Sequence, residues 1–270
     1  MPLALGFSAA YSTPMLIVLS PAKALDFTPA APGLALTTPE LKDDIAQLAK
    51  TTRRLTKAEL RRLMSISDKL AELNRDRFQA FDPACEDGLQ AAIAFNGDVY
   101  MGLGARSLDK ASMNWAQDHI RILSGLYGVL RPLDALQPYR LEMGSRLKTR
   151  RGSSLYDFWG PRISQALNRA VEGRSEPVLV NLASQEYFAA VQVKALEMPV
   201  VTCLFKEVRP GEAPRMISFL AKKARGLMAR FAIDHRIDRV EGLKDFGAEG
   251  YEFQPTLSTP AEWVFTRPQP

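Results

Sequence analysis

The strongest constraint on this chain is a set of continuous apolar runs, each too short to make a helix. Met15–Leu19 reads MLIVL and is stopped by Ser20 and Pro21. A run of that length without polar alternation fits a strand buried on both faces. Val178–Leu182 and Val200–Phe205 repeat the texture, with a helical stretch from Ser184 to Leu196 between them. Strand, helix and strand in that order is the unit that joins buried parallel strands. The predicted fold class is therefore α/β with mixed α+β character: one compact domain, its buried mixed sheet surrounded by helices. With 46% hydrophobic and 24% charged residues in 270, the chain can bury a full core. No internal repeat or linker marks a second domain, so the domain is assigned to residues 15–267. Residues 1–14 read as an N-terminal extension outside the fold, and 268–270 as a Pro-rich tail.

Local signals place the helices. Thr38-Pro39-Glu40 reads as an N-cap, a proline at the first helical position and an acid in the first turn, with Leu41, Ile45 and Leu48 behind it. Thr56 and Glu59 have capping-box spacing, Leu55 and Leu60 form its staple, and Leu63, Ile66, Leu70 and Leu73 continue the pattern. Asn96-Gly97-Asp98 signals a turn between Ile93–Phe95 and Val99–Met101. Gly102-Leu103-Gly104 has Ser107 where a dinucleotide fingerprint needs its third glycine, so a Rossmann site is rejected.

Several function classes are excluded. No run of about 18 apolar residues exists to cross a bilayer as a helix. The N-terminus lacks Lys and Arg before Pro14, a poor match to a secretory signal. Two distant cysteines, Cys85 and Cys203, encode neither a disulfide framework nor a zinc site, which fits a reducing cytoplasm. His119 and His235 have no ligand spacing and read as structural or surface residues. No metal and no cofactor is expected.

Two stretches can carry chemistry. Ile120–Glu142 reads as a helix, a glycine hairpin at Gly125-Leu126-Tyr127-Gly128 and a second helix entered at Pro132. Such hairpins bring backbone N–H groups close to a DNA phosphate, and Arg131 adds charge. The glycine spacing departs from the usual Gly-x-Gly core, so the glycines also fit a simple packing turn. Downstream, Arg146, Lys148, Arg150 and Arg151 form a basic run suited to a phosphate backbone or to a soluble loop. In Phe219–Ala232, Leu220, Ala221, Ala224, Leu227, Met228 and Phe231 share one helical face, while Lys222, Lys223, Arg225 and Arg230 take the other with no acid among them. A single-sign face favours an anion-binding surface over a merely solvated one. The formal charge of +5 agrees in sign but is small. Lys23, on the loop leaving the first strand, fits a ligand contact or a solvated lysine.

Taken together, these segments resemble the YaaA family of bacterial peroxide stress resistance proteins. The likeness rests on SPAKALDF at Ser20–Phe27, FNGDVYMGL at Phe95–Leu103, LSGLYGVLRPLDALQPYRLEMG at Leu123–Gly144, LYDFWG at Leu155–Gly160, NLASQEY at Asn181–Tyr187, FKE at Phe205–Glu207 and KKARGLMARF at Lys222–Phe231. It spans the chain from Met15 to about Arg267. Ala24 stands where the family motif carries threonine, so no hydroxyl acts there. The resemblance implies a cytoplasmic protein that limits free iron and DNA damage under peroxide stress. It also implies an unusual α/β fold with a basic cleft, a helix-hairpin-helix element and DNA binding.

Two functional readings stay open. In the first, the chain binds double-stranded or junction DNA with little sequence preference, through Gly125, Leu126, Tyr127, Gly128, Arg131, Lys148, Arg150, Lys222, Lys223, Arg225 and Arg230. In the second it is an enzyme acting on a nucleotide, nucleobase or other small anion, with Lys23, Tyr139, Arg140, Glu142, Lys206 and Glu207 as the catalytic candidates. Gathering of Lys23, Arg140 and Glu207 in one pocket would favour the enzyme, and their scatter over an open basic surface would favour binding. A partner-binding protein with ordinary surface charge is a third, blander alternative.

Overall fold

The computed structural model describes residues 15–29, 35–85 and 87–269, so the extension assigned to residues 1–14 lies outside the described residues. A seven-stranded sheet organises the rest. Its strands are β1 (Met15–Leu19), β2 (Ile120–Ser124), β3 (Gly128–Leu130), β4 (Val178–Leu182), β5 (Val200–Val208), β6 (Glu252–Phe253) and β7 (Glu262–Pro268). Their spatial order is β6-β7-β5-β4-β1-β2-β3. β7, β5, β4, β1 and β2 are parallel, and β6 and β3 close the two edges antiparallel. The sheet is thus mixed, as expected. β1, paired on both sides, has all five residues buried, which is why its sequence shows no polar alternation.

Nine helices are used below: α1 (Lys42–Thr52), α2 (Lys57–Met64), α3 (Asp68–Ala80), α4 (Asp98–Leu103), α5 (Lys110–His119), α6 (Leu155–Trp159), α7 (Arg162–Arg169), α8 (Gln185–Phe188) and α9 (Ser218–Asp234). The capping box at Thr56 and Glu59 forms as read. The helix behind it does not run on to Leu73. Ser65 adopts φ 50°, ending α2, and the Ser67 hydroxyl caps α3 by accepting from the Leu70 N–H. Thr38 is not an N-cap either. The Thr37 backbone is already bonded to Leu133 and Ala135, and the Thr38 carbonyl accepts from Arg131, so α1 starts only at Lys42. The turn read at Asn96-Gly97-Asp98 leads into α4, with Gly97 as its N-cap. The crossover between β4 and β5 is as expected, although its helical part is only α8 and one 3-10 turn at Val193–Ala195.

The largest departure is at Ile120–Glu142, where the expected helix-hairpin-helix is a β-hairpin. Ile122, Leu123 and Ser124 pair with Leu130, Val129 and Gly128. Ile120–Ser124 is short, buried on both faces and extends the sheet beside β1, and that tertiary position overrides its reading as a helix end. The glycines serve packing. Gly128 has φ +71°, and a Cβ there would lie 2.7 Å from the Trp159 ring. A Cβ on Gly125 would lie 2.2 Å from the Leu141 carbonyl oxygen. At the other end of the chain, β7 includes Pro268, which pairs with Val208, and the Gln269 N–H donates to the Val208 carbonyl. The residues read as a tail from 268 onward therefore begin inside the sheet.

This connectivity positions a site. From the carboxyl end of β1 the chain moves to β2 on one side, while from β4 it moves to β5 on the other. Diverging connections leave a crevice at the carboxyl ends of β1 and β4, the place where open α/β sheets hold ligands.

Candidate functional site

Ser20 follows β1 and Ser184 follows β4, and the two meet in that crevice. The Ser184 N–H donates to Ser20 Oγ at 2.8 Å, and the two hydroxyl oxygens lie 3.3 Å apart. From α4, the buried Tyr100 hydroxyl donates to the Ser20 carbonyl at 3.0 Å. The loop after Ser20 carries Lys23, whose side chain is 66% exposed and whose Nζ lies 3.4 Å from Glu142 Oε1. Arg140 donates to the same oxygen from Nη2 at 2.8 Å and from Nε at 3.2 Å. Two cations therefore share one carboxylate oxygen. The second oxygen, Oε2, is buried with no hydrogen-bond partner, on a side chain only 14% exposed. An orphaned carboxylate oxygen is costly and is poised to accept a hydrogen bond from a ligand.

Tyrosines back the carboxylate. The Tyr139 and Ser124 hydroxyls are 2.6 Å apart, and Ser124 Oγ also accepts from the Tyr127 N–H. Burial pushes the Tyr100, Tyr139 and Tyr187 hydroxyls above the ordinary phenol range, so they stay neutral near pH 7. They act as hydrogen-bonding groups, not phenolates. Opposite Glu142, Glu186 accepts from the Gly144 N–H at 3.0 Å, and its own carbonyl accepts from the Tyr156 hydroxyl. The carboxylate, the two cations and the serine pair together form a polar cluster at the sheet's carboxyl edge.

Of the six residues read as catalytic candidates, the structure thus unites Lys23, Arg140 and Glu142, with Tyr139 next in chain. Lys206 and Glu207 stay apart from them. As neighbours on β5 they face opposite sides of the sheet, beyond the last β4 pairing at Asn181 and Thr202. Glu207 is buried, accepts from the Tyr251 hydroxyl at 2.5 Å and lies 3.5 Å from Arg267 Nε. Arg267 stacks 4.5 Å over the Tyr251 ring and pairs with Glu249 at 2.8 Å. That network ties β5 to β7 and the segment before β6, a structural role. The foreseen gathering of Lys23, Arg140 and Glu207 therefore occurs only in part.

The residues read as DNA contacts divide sharply. Gly125, Leu126, Tyr127 and Gly128 are buried in the hairpin, and the Gly125 carbonyl accepts from Trp159 Nε1, so this backbone does not face a duplex. Arg131 is held by Asp134, at 3.1 Å from Nε and 2.9 Å from Nη2, and donates to the Thr38 carbonyl. On α9, Lys223 pairs with Glu249. Arg230 donates from Nε to both Asp234 oxygens at 2.8 Å and from Nη1 to Ser107 Oγ at 2.7 Å. Arg225 turns inward beside Cys203, and burial lowers its pKa. Two of the four cations on the apparently acid-free face, Lys223 and Arg230, are thus paired with acids outside the segment. Only Lys222, Lys148 and Arg150 of that set stand exposed without a partner among the described residues.

Arg146 joins the last two. Residues 145–150 alternate, with Ser145 and Leu147 buried and Arg146, Lys148 and Arg150 exposed without an acid partner among the described residues. This cationic ridge begins four residues after Glu142. Arg151, by contrast, is structural: it pairs with Asp44 at 2.6 Å and lies 4.6 Å over the Phe158 ring. The histidines are structural in geometry, His119 stacking 4.0 Å from Trp115. Burial raises the Cys203 thiol to about 12, far from a reactive thiolate. Sequence reasoning missed Tyr100, Ser124 and Tyr187 as members of the site. The capping position of Ser184 before Tyr187 was the one local signal available.

Comparison with known proteins adds a family. The model described as "Peroxide stress protein YaaA" matches residues 15–257. Similar full-length proteins include a UPF0246 protein of Caulobacter vibrioides, 68% identical over 256 residues, covering 95% of this chain and all of that protein. A UPF0246 protein of Phenylobacterium zucineum is 63% identical over 256 residues, covering 95% of this chain and 96% of that one. Another, from Roseobacter denitrificans, is 56% identical over 259 residues, covering 95% and 99%.

Proposed function

The chain belongs to the peroxide stress protein YaaA family, and from that premise we propose that it serves peroxide defence by binding DNA through phosphate contacts. The contact surface is the carboxyl edge of the sheet, with Arg146, Lys148 and Arg150 as its main part and Lys23 and Lys222 as outlying cations. The single observation behind this reading is the ridge itself: three exposed, unpaired cations on alternate residues. Arg146 and Lys148 precede a tight turn, closed by the Thr149–Gly152 bridge, that carries Arg150, so one short loop presents all three cations. Phosphate contacts of this type position a protein without reading bases, so little sequence preference is expected.

Among the described residues no group of three His, Cys, Asp or Glu side chains is arranged to hold a metal ion. The reading therefore routes any effect on free iron and DNA damage through DNA occupancy. No described helix is long and apolar enough to cross a membrane, and a cytoplasmic location remains part of the proposal. The test is fluorescence anisotropy with labelled duplex and junction DNA across a salt series, comparing wild type with Lys148→Glu/Arg150→Glu. Tight binding whose salt slope falls by about two in the double variant supports the ridge. A folded wild type that binds no DNA at low salt, or a double variant that binds as tightly, refutes it.

A second reading, an enzyme acting on a nucleotide or other small anion, draws on one specific feature. Glu142 Oε2 is orphaned beside two cations at a sheet crevice, and this is the arrangement of a base or a substrate-positioning acid. Turnover abolished by Glu142→Gln, once a substrate is found, would move the function to this class.

A further inference from the structure

Beside Ser184, between the end of β4, the first half of β5 and the first turns of α9, lies a cavity of about 610 Å³. Its walls include Arg225 and Lys222 from α9, Ser184 from the loop after β4, Thr202 from β5, and Phe188, Leu204 and Met216 as apolar surface. Glu262 lies on its wall as the one carboxylate, but it forms no ion pair with Arg225 or Lys222. Arg225 Nε is buried without a hydrogen-bond partner, and no acid among the described residues pairs with its guanidinium. Arg225 is half-buried, and its desolvated, unanswered Nε–H is a donor that an anion in the cavity would satisfy. Its neighbours in the cavity are donors: Lys222 is exposed and unpaired, and the Thr202 hydroxyl accepts from Asn181 Nδ2 at 3.3 Å, leaving its own proton available.

We propose that this cavity is a binding site for a small organic oxyanion, whose anionic head is held by Arg225 and Lys222 and whose less polar body lies against Phe188, Leu204 and Met216. The volume sets the size class. It falls within the usual range of about 300–1,000 Å³ for pockets that bury a metabolite-sized ligand, and it is far larger than one phosphate ion. A planar guanidinium suits a two-oxygen head, carboxylate or phosphate monoester, better than a point charge would. The first turn of α9 contains no acid of its own, but the Glu207 carboxylate already accepts from the N-cap Ile217 N–H at 3.3 Å, so the anion is assigned to Arg225 and Lys222 and not to the helix terminus. This site uses none of the ridge residues and shares only Lys222 with the proposed DNA surface.

Calorimetry and thermal melting of the full chain test it with four probes: adenosine monophosphate, benzoate, adenosine and inorganic phosphate. The two organic anions are expected to bind and raise the melting temperature, and their ratio tells phosphate from carboxylate preference. Adenosine, without the charge, and phosphate, without the body, are expected to bind at least tenfold more weakly. Arg225→Met should cost the preferred anion at least about tenfold in affinity, while the unliganded variant melts no lower than wild type because a desolvated, unanswered donor has gone. Lys222→Gln, at an exposed position, covers the case in which Arg225→Met fails to fold, and should weaken the same probe several-fold. Lys148→Glu/Arg150→Glu should leave these affinities unchanged, which separates this site from the DNA surface. If neither organic anion binds at millimolar concentration, or if both cavity variants bind as wild type does, the proposal is wrong.

Discussion

Two stretches of this chain look alike as sequence, KKARGLMAR in α9 and RLKTRR at residues 146–151, and the structure gives them opposite fates. In α9 half of the cations are paired, Lys223 with Glu249 and Arg230 with Asp234 and Ser107, while Arg225 lies in the wall of a cavity. In the loop, Arg146, Lys148 and Arg150 stay exposed and unpaired while Ser145 and Leu147 anchor the backbone. A run of like charges is thus no measure of available charge. What counts is whether acids reach it, and in α9 they do, Asp234 from one turn along the same helix and Glu249 from 26 positions away.

The comparison breaks most easily at Gly226. There α9 crosses α4 so closely that a Cβ would lie 1.8 Å from the Val99 carbonyl oxygen, and one on Gly102 would lie 2.3 Å from the Lys223 carbonyl. Gly226→Ala is expected to destabilise the protein by about 3 kcal/mol, because backbone must separate to admit the methyl group. Chemical denaturation measures this, and an unchanged midpoint would mean that α9 is not the packing element described.

Next in size, Glu142→Gln leaves Arg140 and Lys23 without their shared carboxylate. Because Glu142 is partly buried, a loss of about 1–2 kcal/mol in stability is expected. Anion affinity at the exposed Lys23 should rise at the same time. A variant as stable as wild type would indicate that the cations do not depend on this carboxylate. The ridge gives the contrasting result: Lys148→Glu/Arg150→Glu should shift stability by no more than about 0.5 kcal/mol, while duplex affinity falls at least about tenfold. Lys223→Gln should do the reverse, weakening stability slightly and leaving DNA affinity alone. If the α9 variant harmed DNA binding more than the ridge variant, α9 and not the loop would carry the available charge.

The smallest effect concerns acid. The hydrogen bond from Lys223, together with Arg267, holds the Glu249 carboxyl below its ordinary value of 4.5. A depressed acid adds stability that is present above 4.5 and is lost as pH falls through the lower, folded-state value. Since the pair is partly exposed, the contribution is under about 1 kcal/mol. Glu249→Gln should flatten the acid limb of the stability profile below pH 4.5 while changing little at pH 7. An unaltered limb would show that this tie between α9 and β7 adds nothing.

How much was legible beforehand follows from the range of the forces involved. Met15–Leu19, Val178–Leu182 and the Thr56–Glu59 capping box could be read because each depends on residues within one turn or one strand. Ile120–Ser124 was misread because IRILS is short and apolar, a pattern that a helix end and a buried strand share until the neighbouring strand is known. The site was half legible. Lys23, Arg140 and Glu142 stood out as polar residues beside apolar runs, but Tyr100 and Tyr187 join them only because α4 and α8 fold over the same crevice.

By itself, then, the sequence determined the fold class, the buried central strand, the parallel crossover and the family, since local patterning and extended motifs are properties of contiguous residues. Tertiary structure decided which charges are met by distant partners and where a ligand can sit. Glu249 neutralises Lys223 across 26 positions and Ser20 meets Ser184 across 164, and pairings at such separations are set by how the sheet is ordered, not by any spacing along the chain.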